Sequence, residues 1–218
     1  VQGADGYDRA EFAFYPCGAT NDFLKMFGSD LTAFRNIDNL IDGKVINVYY
    51  IRTSYGLALN TVSFGMDTVL ADTMWETREF SIFGKLVPFI LSYGNAMISA
   101  HPRKMTYSID GRGYRDGVTE IVIGNGKVLG GAMYITDDAD FSDGRMDYIL
   151  GLNINGLGLF RLMTRMMKNN VEELRKIAPT GSCSSIYVRS EDGNDIEMNL
   201  DGEIVPGGKE WNIDIVNK

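Results

Sequence analysis

The sequence predicts an α+β fold that is mainly β: an antiparallel β-sandwich with a few covering helices. The 218 residues include 25 glycines, more turn formers than a helical bundle needs. From residue 104 onward, short apolar stretches alternate with turn pairs such as Asp110-Gly111 and Asn125-Gly126, a pattern typical of hairpins. Hydrophobic residues make up 44% of the chain, enough to fill the core of such a sandwich.

The individual elements follow from local patterns. Apolar stretches bounded by turn residues predict strands, and apolar residues spaced by three and four predict helices. The predicted strands cover residues 11–15, 44–53, 57–64, 105–109, 120–123, 127–135, 147–152, 184–189, 196–200 and 211–216. The predicted helices cover residues 23–27, 30–41, 66–78, 86–97 and 157–168.

The first 28 residues have a different character from the rest. A short apolar strand closed by Pro16 leads into a glycine turn and then into a short helix stopped by Gly28. Strand, glycine turn and helix together are typical of an α/β phosphate-binding unit. We therefore place a domain boundary after residue 28, with residues 29–218 forming the sandwich.

Composition excludes several classes of protein. The net charge of −8 argues against a nucleic-acid partner, because nucleic-acid binders carry a basic surface. The two cysteines, Cys17 and Cys183, cannot form a disulfide framework, and the single histidine, His101, excludes a multi-histidine metal site. No apolar stretch reaches the roughly 20 residues that a membrane span needs. We expect a soluble, cytoplasmic protein.

The turn at residues 16–23 is the first candidate site. A glycine turn that opens a helix directs backbone N–H groups and the positive end of the helix dipole at one point, which favours phosphate. Gly18, Thr20, Asn21 and Asp22 are the candidate binding residues, and Asn21 is also placed to cap the helix. An ordinary strand–turn–helix junction explains the same pattern, and physics alone favours that simpler interpretation.

The loop at residues 137–147 is the second candidate site. It carries five aspartates in eleven residues, between two predicted strands. Clustered carboxylate oxygens and turn carbonyls suit a hard cation such as Mg²⁺ or Ca²⁺. The alternative is a solvated acidic turn.

Asp201-Gly202-Glu203 is the third candidate. Residues two apart on a strand face the same side, so both carboxylates can work at one place, accepting a proton and positioning the group that accepts it. The alternative is a routine Asp-Gly hairpin.

The order of these motifs resembles that of the diacylglycerol kinase and sphingosine kinase-like lipid kinases, in particular the soluble bacterial members. The resemblance rests on five segments in the right order: Pro16 to Phe23, Ser63 to Asp67, Asn125 to Ala132, Asp143 to Asp147 and Asp201 to Glu203. It implies a C-terminal sandwich domain, with residues 1–28 as the remnant of an N-terminal ATP-binding domain. The family's Gly-Gly-Asp-Gly-Thr motif is absent here, and Ala19 stands where the family has a nucleotide-contacting threonine.

The resemblance also implies roles for particular residues. Glu203 would be the general base for the lipid hydroxyl, and Asp201 would assist it. Asp143 would bind Mg²⁺, with the backbone carbonyls of Asp140 and Arg145 as co-ligands. Gly18, Thr20, Asn21 and Asp22 would contact ATP.

The function predicted from this resemblance is part of an ATP-dependent lipid kinase that phosphorylates diacylglycerol or a similar lipid. With most of the ATP site missing, we expect this chain alone to be inactive. Two alternatives stay open: a non-catalytic lipid- or partner-binding domain of the same fold, and an enzyme related to NAD kinase. The expected partners are ATP, through the missing N-terminal domain, and a lipid at the membrane surface, and a homodimer is left open.

The helix at residues 157–168 raises the question of membrane contact. It has an apolar stripe at Leu159, Leu162, Met163 and Met166, and basic residues on the opposite face. A basic amphipathic helix can lie on anionic lipid. The interpretation we favour is a stripe packed on the sheet and a solvated basic face.

Overall fold

The structure is a computed structural model that describes residues 10–18, 20–83, 86–136 and 138–217, with the backbone alone at residues 83, 86 and 89. Its strands are β1 (Tyr50–Thr53), β2 (Leu57–Ala58), β3 (Thr61–Gly65), β4 (Arg103–Ile109), β5 (Arg112–Gly124), β6 (Val128–Leu129), β7 (Met133–Tyr134), β8 (Met146–Leu152), β9 (Thr180–Cys183), β10 (Ser185–Ser190), β11 (Ile196–Leu200), β12 (Glu203–Gly208) and β13 (Glu210–Val216). Its α-helices are α1 (Ile37–Ile41), α2 (Met66–Glu76), α3 (Leu86–Ser99), α4 (Gly156–Met167) and α5 (Val171–Arg175). Shorter 3₁₀ helices cover Asp22–Phe27, Thr32–Arg35 and Arg78–Phe83.

Antiparallel pairing confirms the predicted mainly β fold. The main sheet of the described residues runs in the order β12-β11-β3-β5-β4-β10-β13-β1-β2, and β8 joins it by pairing with both β5 and β9. The first part of β5 pairs with β4, and its last five residues pair with β3. The curled sheet thus folds over one apolar core, which includes Phe64, Met105, Ile121, Val188 and Trp211.

A second apolar layer lies between the sheet and the helices. The stripe predicted on α4 is buried there, with Leu159 and Leu162 almost fully inaccessible. These side chains pack with residues of α2 and β8. The interpretation favoured for this helix is therefore confirmed: its apolar stripe faces the protein, while Arg161 and Lys168 are exposed.

Several predicted elements are corrected. The strand expected at residues 11–15 is absent: this segment is mostly exposed and pairs with no strand in the described part of the chain, and a lone strand leaves its backbone groups without partners. Only residues 50–53 of the strand predicted at 44–53 are paired. The strand predicted at 57–64 is broken at Leu59 and Asn60, whose N–H groups bind Asp201 instead of a neighbouring strand.

Three further corrections come from turn residues. The helix predicted at 30–41 is divided at Asn36, which has an extended backbone and accepts the N–H of Asp38 with its side chain. The strand predicted at 127–135 shrinks to the small β6–β7 hairpin, because Gly130 and Gly131 turn the chain with positive φ angles. The Asn125-Gly126 pair is not a hairpin turn, since β5 pairs with β3, β4 and β8, whereas β6 pairs with β7.

Candidate functional site

Asp201 lies at the turn between β11 and β12, and its carboxylate binds backbone. Its oxygens accept the N–H groups of Leu59 at 2.7 Å, Asn60 at 2.9 Å and Thr61 at 2.8 Å. Burial raises the pKa of this carboxyl, although the three backbone hydrogen bonds act to lower it. Asp201 therefore locks the β2–β3 connection to the β11–β12 hairpin, and its carboxylate is engaged with the protein itself.

Glu203 begins β12 one residue after Gly202, whose positive φ of 99° closes the hairpin. The Glu203 side chain is exposed and lines a surface depression shared with Tyr55, Leu57 and Val205. Asp201 holds the turn and Glu203 faces solvent, so the two carboxylates have different environments. Of the two, Glu203 is the one free to meet another molecule.

A buried polar cluster lies beside this hairpin, at the start of α2. Gly65, with a φ of 106°, allows β3 to turn directly into the helix, and a side chain there would meet the Thr119 carbonyl at 2.3 Å. This turn puts Asp67 in the first helical turn, where its Oδ2 accepts hydrogen bonds from the Ser63 hydroxyl and, at 2.8 Å, from the Asn199 amide. Burial raises the pKa of Asp67, against the lowering effect of these two donors.

Glu120, on β5, is the second carboxyl of the cluster. It is only 4% exposed, and its Oε2 accepts the backbone N–H of Asp67 at 3.0 Å. Its Oε1 has no hydrogen-bond partner in the described structure. Burial raises the pKa of Glu120 well above its ordinary value, and the charge of Asp67 raises it further. The pKa is raised for both carboxyls, and the two side-chain donors on Asp67 favour the charged form of Asp67.

Both carboxyls line the end of a narrow apolar pocket between the sheet, α2 and α4. The apolar walls of the pocket include Val122, Leu129, Met133, Leu159, Leu162 and Met166. An unpartnered polar atom at the end of an apolar pocket is costly unless something binds it. The enclosed space is about 20 Å³, which has room for one water-sized polar group beside the carboxyls.

Asn199 joins this pocket to the Glu203 hairpin. Its Nδ2 donates to Asp67, and its Oδ1 accepts the N–H of Gly202 at 2.8 Å. One side chain thus connects the buried carboxylate cluster with the turn that presents Glu203. The candidate site therefore consists of the exposed Glu203 carboxylate, the bridging Asn199 amide and the buried carboxyls of Asp67 and Glu120.

The turn at residues 16–23 is closed on itself. The Gly18 N–H donates to Oδ1 of Asn21 at 3.0 Å, and Nδ2 of Asn21 donates to the Gly18 carbonyl at 2.8 Å. The prediction that Asn21 caps the helix is wrong: the side chain makes no cap hydrogen bond, because it binds back to Gly18. The element that follows is a six-residue 3₁₀ helix. Ala19 lies outside the described residues.

Asp22 anchors this turn to the sandwich. Its Oδ2 accepts the Gly131 N–H at 3.0 Å, and its Oδ1 pairs with Lys25 at 2.8 Å. Lys25 also donates to the Gly131 carbonyl at 2.7 Å, and the Thr20 hydroxyl donates to Asp22 at 3.1 Å. The structure therefore brings Thr20 and Asp22 to the glycine turn between β6 and β7, a placement that the sequence did not predict.

The acidic loop is ordered by turn hydrogen bonds. Oδ1 of Asp140 accepts from the Ser142 N–H at 2.8 Å and from the Ser142 hydroxyl at 2.5 Å, and these bonds lower the pKa of Asp140. Oδ1 of Asp143 accepts the Arg145 N–H at 2.8 Å. The Arg145 side chain turns away to Ser182, with Nε at 2.8 Å from the hydroxyl.

Electrostatics within this loop fit a cation. Burial, and then the negative charges of Asp143 and Asp138, raise the pKa of Asp147 to about 6. Oδ2 of Asp143 makes no hydrogen bond to the described residues, so it is available as a ligand. Within those residues, which exclude position 137, no three acidic, histidine or cysteine side chains converge on one point. A metal here would depend on Asp143 and on backbone carbonyls, and the expected ligands Asp140 and Arg145 stay predictions.

Two members of the site were missed from the sequence. Glu120 was taken only as part of a strand, although a lone acidic residue inside the apolar stretch from Val118 to Ile123 is unusual and was a usable signal. Asn199 was noted only as the neighbour of the Asp-Gly-Glu turn. No local pattern could have shown it bridging Asp67, which lies 132 residues away.

The curled antiparallel sheet and its covering helices define this chain as a β-sandwich domain. Residues 60–209 match the family described as the YegS C-terminal NAD kinase beta sandwich-like domain. The chain belongs to this family.

One relative found by sequence and two solved structures agree with this assignment. A Staphylococcus carnosus protein named "Putative lipid kinase" is 23% identical over 195 residues, which cover 87% of this chain and 61% of that protein. A Bacillus anthracis structure described as a "putative diacylglycerol kinase" superposes with a TM-score of 0.67 and 19% identity. A second B. anthracis diacylglycerol kinase structure gives a TM-score of 0.66 at the same identity.

The extent of the match defines what part of a relative this chain represents. The structural match covers 91% of this chain and 63% of each of the two B. anthracis chains. This chain therefore spans less than two thirds of the length of these relatives. Among its described residues, no helix combines the length and apolarity needed to span a bilayer.

Proposed function

We propose that this chain is the acceptor-binding part of an ATP-dependent lipid kinase, which transfers the γ-phosphate to the hydroxyl of diacylglycerol or a similar lipid. The family, whose named relatives are lipid and diacylglycerol kinases, supports the general class. The observation that carries the proposal is the Asn199 bridge, which links the exposed Glu203 to an apolar pocket with carboxyls at its end. The space beside these carboxyls has room for a small polar group of a lipid alcohol, and apolar side chains surround it.

In this proposal Glu203 is the general base. Its exposed carboxylate takes the proton of the lipid hydroxyl as the hydroxyl oxygen attacks the γ-phosphorus of ATP, and the bond from that phosphorus to the β–γ bridging oxygen breaks to release ADP. Asp201 is a positioning residue, because its carboxylate is engaged with the backbone of residues 59–61. Glu120 is the proposed partner for a polar group of the lipid, because its Oε1 has no hydrogen-bond partner in the described structure.

Phosphoryl transfer needs positioning and charge neutralisation more than covalent chemistry, and Mg²⁺ bound with ATP supplies the neutralising charge. On this chain, the turn at Gly18 and Thr20 is the proposed contact for ATP. Asn21 and Asp22 would hold that turn in place through their bonds to Gly18 and Gly131. Asp143, with the carbonyls of Asp140 and Arg145, is the proposed site of a second, structural Mg²⁺.

Replacement of the base tests the proposal. In a longer chain that includes the nucleotide-binding part, we expect Glu203→Gln to reduce lipid phosphorylation by about 10²–10⁴-fold, because Gln keeps the size of Glu but cannot take the proton. Phosphoryl transfer tolerates a weak base, so the low end of that range is expected. ATP binding should be unchanged. The matched control is Glu197→Gln, on exposed β11 surface. Near-normal turnover of Glu203→Gln would remove Glu203 from the mechanism.

A further inference from the structure

The hairpin of α2 and α3 exposes large apolar side chains that nothing in the described structure covers. Trp75 is 69% exposed, Ile82 is 82% exposed and Ile98 is 87% exposed. Phe80 and Ile90 add further exposed apolar surface at 48% and 64%. We name these five side chains the apolar hairpin face. Exposure of five large apolar side chains on one helical hairpin points to an interaction surface, because soluble proteins seldom leave large apolar patches in water.

The exposed side of α3 is unpartnered along its length. Ile90, Gly94 and Ile98 recur at four-residue spacing and so lie along one side of the helix. A side chain built at Gly94 would meet no atom within 4 Å. The opposite side of α3 packs inward, since Ser92 and Ala96 are almost fully buried. The helix is therefore held on one side and open on the other.

Charge identifies the kind of partner. Residues 74–99 carry two acidic and two basic residues, and none of the four lies within Leu86–Ser99, whereas the whole chain has a net charge of −8. At the edge of this face, the Arg78 guanidinium lies 4.0 Å from the ring centre of Trp75. An arginine lies beside an exposed tryptophan and near exposed isoleucines. This arrangement suits the boundary between lipid headgroups and acyl chains.

The hairpin that carries this face also contacts a residue of the apolar pocket. Tyr93 of α3 has its hydroxyl 3.7 Å from Sδ of Met133, and Met133 lines the pocket. The α2 helix carries Asp67 at its other end, so the hairpin and the pocket share an element. A face that enters a bilayer would bring this pocket to the source of a lipid.

We propose that the apolar hairpin face inserts into the surface of a lipid bilayer through apolar contacts, without a requirement for anionic lipid. The docking itself rests only on the exposed residues; the delivery of a lipid to the pocket rests also on the proposed kinase function. Docking by the hairpin replaces docking by α4, whose apolar stripe is buried and whose Arg165 is paired with Glu173 at 3.4 Å.

The chain contains its own probe for this insertion. Of its two tryptophans, Trp75 is on the face and Trp211 is 5% exposed in the sandwich core. We expect phosphatidylcholine vesicles with brominated acyl chains to quench the fluorescence of the 218-residue chain, and Trp75→Phe to remove the quenching. Ile82→Asp with Ile98→Asp should weaken vesicle binding by about tenfold or more, because each charge replaces an apolar side chain transferred from water.

Two control pairs make this experiment specific. Ile37→Asp with Ile41→Asp changes similarly exposed isoleucines on α1, 64% and 74% accessible, and should leave binding unchanged. Arg161→Glu with Lys168→Glu removes the basic face of α4 and should also have no effect. Each variant is used only if its melting temperature matches that of the wild type, and Ile82→Ser with Ile98→Ser stands in if the aspartates disturb folding.

Several outcomes would overturn the proposal. They are the absence of quenching, quenching that needs anionic phosphatidylglycerol and is lost with the α4 pair, and an equal loss of binding with the α1 pair. A dimer in solution that the Ile82 and Ile98 changes dissociate, without vesicle binding, would assign the face to a second copy instead. None of these measurements uses catalysis, so failure here is distinct from failure of the Glu203 test.

Discussion

The carboxylate of Asp201 holds three backbone N–H groups and yet lies in a motif whose sequence suggests catalysis. Its backbone has a φ of 51°, in the left-handed region that Asn adopts as readily as Asp. Asp201→Asn therefore keeps the turn and removes only the charge and acceptor capacity. The substitution separates a structural contribution from a direct chemical one.

We expect Asp201→Asn to lower the free energy of unfolding by about 1–3 kcal/mol, because at least one buried N–H loses a charged acceptor. Chemical denaturation of the purified chain measures this change. Asp72→Asn, on the exposed surface of α2, is the matched control and should be neutral. An Asp201→Asn chain as stable as the wild type would show that the Asp201 carboxylate does not stabilise the β2–β3 connection.

Glu120 gives the protein a pH dependence whose sign follows from its raised pKa. The carboxyl binds its proton more tightly in the folded chain than in the unfolded chain, where it titrates near 4.5. The stability it contributes is present below that value and is lost as the pH rises toward the higher folded pKa. Unfolding then becomes easier at neutral and basic pH, because the group can release its proton on leaving the pocket.

Glu120→Gln should remove this loss of stability at higher pH, since Gln has the shape of the protonated acid and no charge to bury. We expect the melting temperature of the variant minus that of the wild type to become more positive as the pH rises from 5 to 8. Glu197→Gln, at an exposed position, should show no such trend. A Glu120→Gln difference that is constant with pH would show that Glu120 is not protonated in the folded chain.

Among the elements, the acidic loop from residue 136 to 147 is the candidate site for a cation. Turn hydrogen bonds to Asp140 and Asp143 give it a defined shape, and mutual repulsion contributes to the raised pKa of Asp147. A cation would relieve that repulsion. An ion that binds only the folded chain raises its stability by mass action.

Mg²⁺ should therefore raise the melting temperature of the wild-type chain. Asp143→Asn should abolish that rise while keeping the loop, because its side-chain oxygen can still accept the Arg145 N–H. Asp214→Asn, on the exposed surface of β13, should leave the rise intact. Equal Mg²⁺ effects in wild type and Asp143→Asn would remove Asp143 as the ligand.

At the scale of the whole molecule, the 218 residues carry the proposed acceptor site and contain no Gly-Gly-Asp-Gly-Thr segment. We expect the purified chain to turn over ATP and lipid at a negligible rate, because the γ-phosphate is not held in line with the acceptor hydroxyl. A coupled assay with diacylglycerol vesicles measures this. Turnover at the rate of a full-length relative would show that the described residues hold ATP unaided.

The sequence by itself determined the class of fold and most of its local pieces. Strand periodicity predicted β4, β11 and residues 120–123 of β5, and the Asp110-Gly111 pair predicted the turn that joins β4 to β5. Residues 112–119 of β5 and the strand β12 were not predicted. The stripe on α4 predicted a helix buried on one side, and the structure buries that stripe. These features were accessible because strand and helix patterns repeat over a few neighbouring residues.

Only the tertiary structure decided which strands are neighbours and which side chains meet. The β3 strand lies between β5 and β11, which puts Asp67, Glu120 and Asn199 together from distant parts of the chain. The same packing gave Asp201 its backbone partners and left the hairpin of α2 and α3 uncovered on one side. Local periodicity tells which face of an element is buried, but the partner across that face is selected by long-range pairing, which no short segment encodes.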